Sequence, residues 1–167
     1  MKCLECGEKL EKTKGNYQYK ESGLNNILLV DIPIYRCASC KETEVEIPGT
    51  KELHMLIAFL LLFKPTHLTG AEARFLRKSM CYTEEDLANS LGIKRVTVSR
   101  WENAKGEMKK DRDKHLRLFF MNKKSNEFIE APGIMQIIKT LLSSLPIEKD
   151  MTNLKIHPED WAALSTA

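Results

Sequence analysis

The sequence contains no apolar run long enough to cross a bilayer. Its longest, Leu53–Phe63, is broken by His54 and falls well short of the roughly 20 residues that a spanning helix needs. No apolar stretch follows Met1 and Lys2 either; they lead straight into Cys3, so no secretory leader is expected. Together these absences predict a cytoplasmic protein that does not meet a membrane. A marked excess of one charge sign is lacking as well, with a formal net charge of only +3. The sequence offers no phosphate-cradling loop, no nucleophile–base set and no open metal site, which argues against an enzyme. His54, His67, His115 and His157 lie apart from one another, and each reads as structural or surface.

The 167 residues suffice for one ordinary domain or two small ones, and 43% hydrophobic with 29% charged is a globular composition. Charge is unevenly placed. Residues 66–124 carry 14 Lys/Arg against 8 Asp/Glu, whereas 125–167 carry 3 against 6. A single basic segment is what a phosphate-binding surface requires, although lysine and arginine also simply solvate helices.

Five cysteines are present, and four form two pairs, Cys3-x-x-Cys6 and Cys37-x-x-Cys40. Two intervening residues let both thiolates of a pair face one cation, and two such turns supply a tetrahedral site. Disulfides are disfavoured in the cytoplasm, and a thioredoxin-like site needs one pair beside a βαβ unit that is missing here. Four thiolates would leave a zinc ion no open position, so one structural Zn²⁺ per chain is the expectation. Cys81 reads as a small buried hydrophobe.

Between the cysteine pairs, Tyr17–Lys20 alternates, Ser22-Gly23 offers a turn, and Ile27–Tyr35 is rich in β-branched and aromatic residues. Pro33 confines that second strand to an edge or a bulge. Strands joining two cysteine turns make a zinc ribbon over residues 1–48. A connecting helix, apolar nearly all round, follows in 49–65; it is either a core helix or a dimer seam.

Residues 66–124 read as helical. Thr69 and Glu72 form a capping box, as do Thr83 and Asp86, and a third helix starts near Arg95. Leu87, Ala88, Leu91, Ile93, Val98 and Trp101 supply the inward positions, with Gly92 at a sharp turn. This is the pattern of a helix-turn-helix whose second helix enters the major groove of double-stranded DNA. With Val98 and Trp101 inward, Arg95, Val96, Thr97 and Arg100 point to the bases. Thr83, Lys94, Asn103 and Lys105 stand at helix ends, where phosphates would lie.

Residues 69–120 resemble the phage repressor/Cro (XRE-type) family, most visibly in Ser99-Arg100-Trp101-Glu102-Asn103. The resemblance implies an ion pair between Arg77 and Glu102; Ala104 stands where the family commonly has glycine. The four-cysteine ribbon ahead of this unit, with Val30–Glu42 around the second pair, resembles the YgiT-type zinc-finger family, which includes the MqsA antitoxins. That likeness covers about residues 1–122 and implies structural zinc, a ribbon that holds a toxin, and a homodimer repressing transcription on operator DNA. This chain differs in its more hydrophobic connecting helix, in Lys41 at a common glycine position, and in residues beyond 122. The alternative is a stand-alone transcription factor whose ribbon is structural or binds another protein.

The extension, 125–167, is expected to be helical. Pro132 can open a helix carrying the stripe Ile134, Ile137, Ile138, Leu141, Leu142 and Leu145, which packs on its own domain or on a second subunit. Residues 147–167 are poorly patterned and read as a flexible arm with Trp161 and Leu164 as an anchor. The fold class expected is therefore α+β, a zinc ribbon followed by an all-α domain.

Overall fold

The computed structural model describes residues 1–104, 108–129 and 154–162. Strand β1 (Leu10–Gln18) pairs antiparallel with β2 (Ile27–Cys37), Leu10 lying opposite Cys37 and Gln18 opposite Leu28. Gly23, at φ 77°, turns the chain between them in a left-handed conformation that glycine adopts without strain. Along β2 the buried aliphatic residues are first Ile27 and Leu29, then Ile32 and Ile34. The change of parity comes from a one-residue register shift opposite Gly15–Tyr17, where Asp31 takes φ 57°. Without that bulge, one half of the strand would turn its apolar side chains to solvent.

Strand β3 (Thr43–Val45) pairs antiparallel with the end of β2, and β4 (Leu154–Ile156) pairs parallel with its beginning. β2 is therefore a central strand, not an edge. Pro33 is accommodated beside the bulge, in the interval of that flank that neither β3 nor β4 pairs, so its missing N–H is not required.

Six α-helices accompany the sheet among the described residues. Helix α1 (Thr50–Phe63) buries Leu53, Leu56 and every residue from Ile57 to Leu62. Each such Leu, Ile or Phe stabilises by roughly 1.5–3 kcal/mol, so α1 binds the two halves of the molecule together. On this helix the buried residues join the core, while Met55 is half-buried and Phe63 is 54% exposed. The end of α1 is closed from α5 (Lys110–Ile129). There the Arg117 guanidinium donates to the carbonyls of Leu61, Leu62, Lys64 and Thr66 at 2.7–3.0 Å. Asp113 fixes Arg117 at 3.0 Å and also accepts the Leu68 N–H at 2.9 Å. Carbonyls left bare at a helix end are thus satisfied by one side chain.

Helices α2 (Gly70–Ser79) and α3 (Glu84–Leu91) both begin with complete capping boxes, Thr69 with Glu72 and Thr83 with Asp86. Gly92, at φ 65°, turns α3 into α4 (Arg95–Glu102). Cys81 departs from expectation: it is exposed, at φ 58°, because Met80 takes the inward place at the end of α2.

The largest apolar cluster joins Ile27, Leu29, Ile32 and Ile34 of the sheet to residues of α1–α5. A second, small cluster of Cys3, Leu10 and Cys37 with Tyr35 sits at the cysteine end. Residues 154–162 correct the expected flexible, helical tail. Leu154 and Ile156 are buried in β4, and Trp161 on α6 (Pro158–Ala162) is 1% exposed, with its indole N–H donated to the Pro48 carbonyl at 2.7 Å. Trp161 thus acts as the anchor. Two features of the expected extension, the Ile134–Leu145 stripe and Leu164, lie outside the described residues.

Candidate metal centre and nucleic-acid interface

The two cysteine pairs fold into matching turns. Gly7 and Lys41, each following its pair, adopt φ 76° and 65° and donate N–H to the carbonyls of Cys3 and Cys37. The Cys3 and Cys37 N–H groups bond to the carbonyls of Glu8 and Glu42 in turn. Lys41 carries the left-handed conformation without being glycine, and its ammonium reaches the Ala38 carbonyl at 2.8 Å. Leu10 opposite Cys37 at the start of the ladder sets the turns face to face.

This brings the four Sγ atoms within 4.8 Å of one another, with Cys3–Cys40 at 3.5 Å and Cys6–Cys37 at 3.4 Å. A tetrahedron with metal–sulfur bonds of about 2.3 Å has edges of about 3.8 Å, so these spacings fit a tetrahedral thiolate site. Backbone N–H groups point at the sulfurs: Glu8 at Cys6, Glu42 at Cys40, and Cys40 with Ser39 at Cys37. The Cys40 N–H draws Cys37 down to about 7. For Cys40 the Glu42 N–H acts in the same direction, but the crowding thiol of Cys3, burial and the other thiols outweigh it and push Cys40 up to about 12. Four thiolates so close cannot coexist without a cation; a bound metal displaces their protons. The four cysteines can hold a metal ion.

On the helical side, α4 turns Val98 and Trp101 inward, at 0% and 6% exposure. Lys94, Arg95, Val96 and Arg100 are exposed, and Thr97 is half-buried. Arg95 is steadied by Glu84 at 3.2 Å. The angle of α4 is set by a buried carboxylate: Glu102 accepts from Arg77 Nε at 2.6 Å and from Arg77 Nη2 at 2.8 Å. Glu102 holds the guanidinium charged, raising Arg77 above its ordinary value against the opposing effect of burial. Arg74 adds a second cation, 3.1 Å from Glu102, and reaches Asn103 Oδ1 at 2.7 Å. At the other end of α2, Gly70 lies directly against the carbonyls of Trp101 and Glu102.

The residues assigned to phosphate differ in what their side chains do. Lys94 is exposed. The Thr83 hydroxyl is used twice by Asp86 in the capping box, beside the acidic start of α3. The Asn103 amide is held by Arg74 and by the Ser99 carbonyl. Lys105 lies outside the described residues. Sequence reasoning did not find Arg74, Gly70, Asp113 or Arg117. For Arg74 a signal existed, since it stands one turn before Arg77 on the same face of α2.

Comparison with protein-family models, curated proteins and solved structures found no match to this chain. Among the described residues, no helix is long and apolar enough to cross a membrane.

Proposed function

We propose that the protein is a zinc-stapled, sequence-specific DNA-binding regulator that represses transcription as a homodimer. In this reading α3, the Gly92 turn and α4 form a helix-turn-helix of the repressor/Cro type. The observation that carries it is the outward face of α4: Arg95, Val96 and Arg100 project from a helix locked at one angle by Arg77, Arg74 and Glu102. Arginine donates two bonds to guanine O6 and N7, and Val96 with the Thr97 methyl meets a thymine methyl. Of the proposed phosphate ligands, Lys94 is an exposed cation with no ion pair among the described residues, and Lys105 would complete the set. Thr83 and Asn103 would act by holding the backbone in place.

One such module touches few bases, so two copies reading half-sites about 34 Å apart, or a multiple of that, are expected. Among the described residues of α1 and α5, Phe63, Leu118 and Met121 are the exposed large apolar ones and are candidates for a two-fold contact, as is the Ile134–Leu145 stripe, which lies outside the described residues. Light scattering of free protein and of its DNA complex tests this; a monomer in both states ends it.

The metal is Zn²⁺, one per chain, held by Cys3, Cys6, Cys37 and Cys40; its role is to staple the sheet end. The four thiolates would fill its coordination, so the centre is structural rather than catalytic. An antitoxin-like role, as in the YgiT-type family, places a toxin on the ribbon, where Met1 and Leu4 are 66% and 87% exposed. The alternative is a stand-alone regulator whose ribbon is structural, in keeping with Ile27, Leu29, Ile32 and Ile34 sharing one apolar cluster with α1. Co-purification of a small protein encoded beside this one, lost on Leu4→Glu, supports the first reading and its absence the second. Enrichment of one sequence from a random duplex pool by zinc-loaded protein tests DNA reading itself; no enrichment refutes it.

A further inference from the structure

A groove of about 370 Å³ runs between α5 and the connection from α1 to α2. Lys110, Lys114, Leu118 and Met121 of α5 all line it. They stand three or four residues apart, so they follow one another along one face of the helix over about 16 Å. Leu118 and Met121 are 57% and 41% exposed, and Pro65 of the connection is exposed as well. The other charges of the lining are matched within it or beside it. Asp113 holds Arg117 at 3.0 Å and the His67 ring at 3.3 Å, and Glu72 holds Lys64 at 2.9 Å. Lys110 and Lys114 are exposed and form no ion pair among the described residues. Asp111, also exposed on α5, does not line the groove. The row therefore carries two uncompensated cations at one end and open apolar surface at the other.

We propose that this groove docks a short amphipathic helix of another protein. Its apolar side chains cover Leu118, Met121 and Pro65, and its carboxylates, one and two turns further on, meet Lys114 and Lys110. Exposed side chains one turn apart along a helix are matched by a second helix lying beside it, which repeats its own side chains at the same spacing. The sign of the charge selects acid. A second copy of α5 fits less well. Laid antiparallel, with Leu118 opposite Met121, it sets Ser125 opposite Lys114 and Ile129 opposite Lys110, so neither lysine meets a carboxylate. With Leu118 and Met121 covered by the partner, the two-fold contact of the proposed dimer falls to the remaining candidates, Phe63 and the Ile134–Leu145 stripe. The docking does not depend on the DNA-regulator reading.

The test uses the full zinc-loaded chain and a blocked, fluorescent helical peptide with leucines on two successive turns and glutamates on the next two. A counterpart carries lysine in place of each glutamate. Fluorescence anisotropy should show saturable binding of one acidic peptide per chain, roughly tenfold or more tighter than the basic one, a difference that shrinks at high salt. Lys110→Glu with Lys114→Glu should exchange the preference. Reversing two exposed lysines elsewhere, Lys51→Glu with Lys78→Glu, should not. Leu118→Ser with Met121→Ser should weaken binding of both peptides. The altered side chains are all exposed, so circular dichroism and the thermal midpoint should be unchanged. No saturable binding, equal affinity for the two peptides, or an unchanged preference in Lys110→Glu with Lys114→Glu overturns the proposal. A dimer that Leu118→Ser with Met121→Ser turns into a monomer in light scattering makes the groove a contact between copies, and overturns it too.

Discussion

Gly70→Ala is the substitution for which local preference and packing give opposite signs. Gly70 is the first residue of α2, where alanine by itself would stabilise by about 0.4–1 kcal/mol through a less flexible unfolded chain. In the fold, however, an added Cβ would lie 2.6 Å from the Glu102 carbonyl oxygen, 2.7 Å from that of Trp101 and 2.9 Å from the Glu102 carbonyl carbon. All three atoms are backbone, so no side chain can swing aside. Normal carbon–oxygen contact requires α2 and α4 to separate by roughly 0.5 Å or more. Overpacking of this kind costs about 1–3 kcal/mol, which leaves a net loss of about 1–2 kcal/mol after the alanine gain. For a chain of this size the thermal midpoint should fall by about 2–8 °C. The same separation stretches the Arg77–Glu102 bonds, so on the proposed function DNA affinity should drop with stability. Urea and thermal unfolding of the zinc-loaded protein provide the assay. A variant as stable as the parent, or more so, would refute the close approach of α2 and α4.

Arg77→Met strips a side chain that is 2% exposed, Glu102, of its two-bonded partner but leaves Arg74 in place. The cost should lie near the lower end of roughly 3–5 kcal/mol, and Arg77→Met with Glu102→Met should recover part of it; a loss no larger than that of a surface substitution contradicts the buried pair. For Asp113, burial alone would raise its carboxyl, but the Leu68 N–H, Arg117 and His67 outweigh it and hold the pKa below the ordinary value. Its contribution to stability is therefore complete above the unfolded value of about 3.9 and is lost as pH falls through the lower, folded value. Asp113→Asn should flatten that acid limb of a stability–pH curve, and an unchanged limb counts against the Arg117–Asp113 clasp. Removing the proposed zinc with a chelator, or Cys37→Ser, should disorder the small cluster of Cys3, Leu10, Cys37 and Tyr35 while Ile27–Ile34 stays packed under α1. Hydrogen exchange should show protection lost near the cysteines and retained in α1–α4; uniform loss, or none, argues against this division.

Features carried by a few neighbouring residues were legible in the sequence. The boxes at Thr69 and Thr83 depend on groups three residues apart, and the cysteine quartet on two short pairs. The inward placement of Val98 and Trp101 follows from helical spacing alone. Contacts between distant segments were not legible. Three residues of alternating burial, Leu154 to Ile156, are too few to announce a strand, and their partner lies at the far end of the chain. Arg117 looked like any cation on a basic helix; only the fold shows four carbonyls waiting for it. Cys81 failed for a related reason, since its hydropathy favours burial but the left-handed turn after Met80 faces it outward. Pro33 pointed correctly to an irregular strand. The interval beside the bulge that neither β3 nor β4 pairs, rather than an edge position, is what accommodates it.

The proposed function requires that the exposed face of α4 read DNA sequence. The most direct measurement is a binding titration of parent, Arg100→Ala and Lys94→Ala proteins on the duplex enriched from the random pool and on a scrambled duplex, at two salt concentrations. Arg100→Ala should lose roughly 1–3 kcal/mol on the enriched duplex, little on the scrambled one, and relax preference at one base pair. Lys94→Ala should weaken both duplexes alike and reduce the salt slope by about one. If Arg100→Ala leaves both affinities and their ratio unchanged, α4 is not the reading helix.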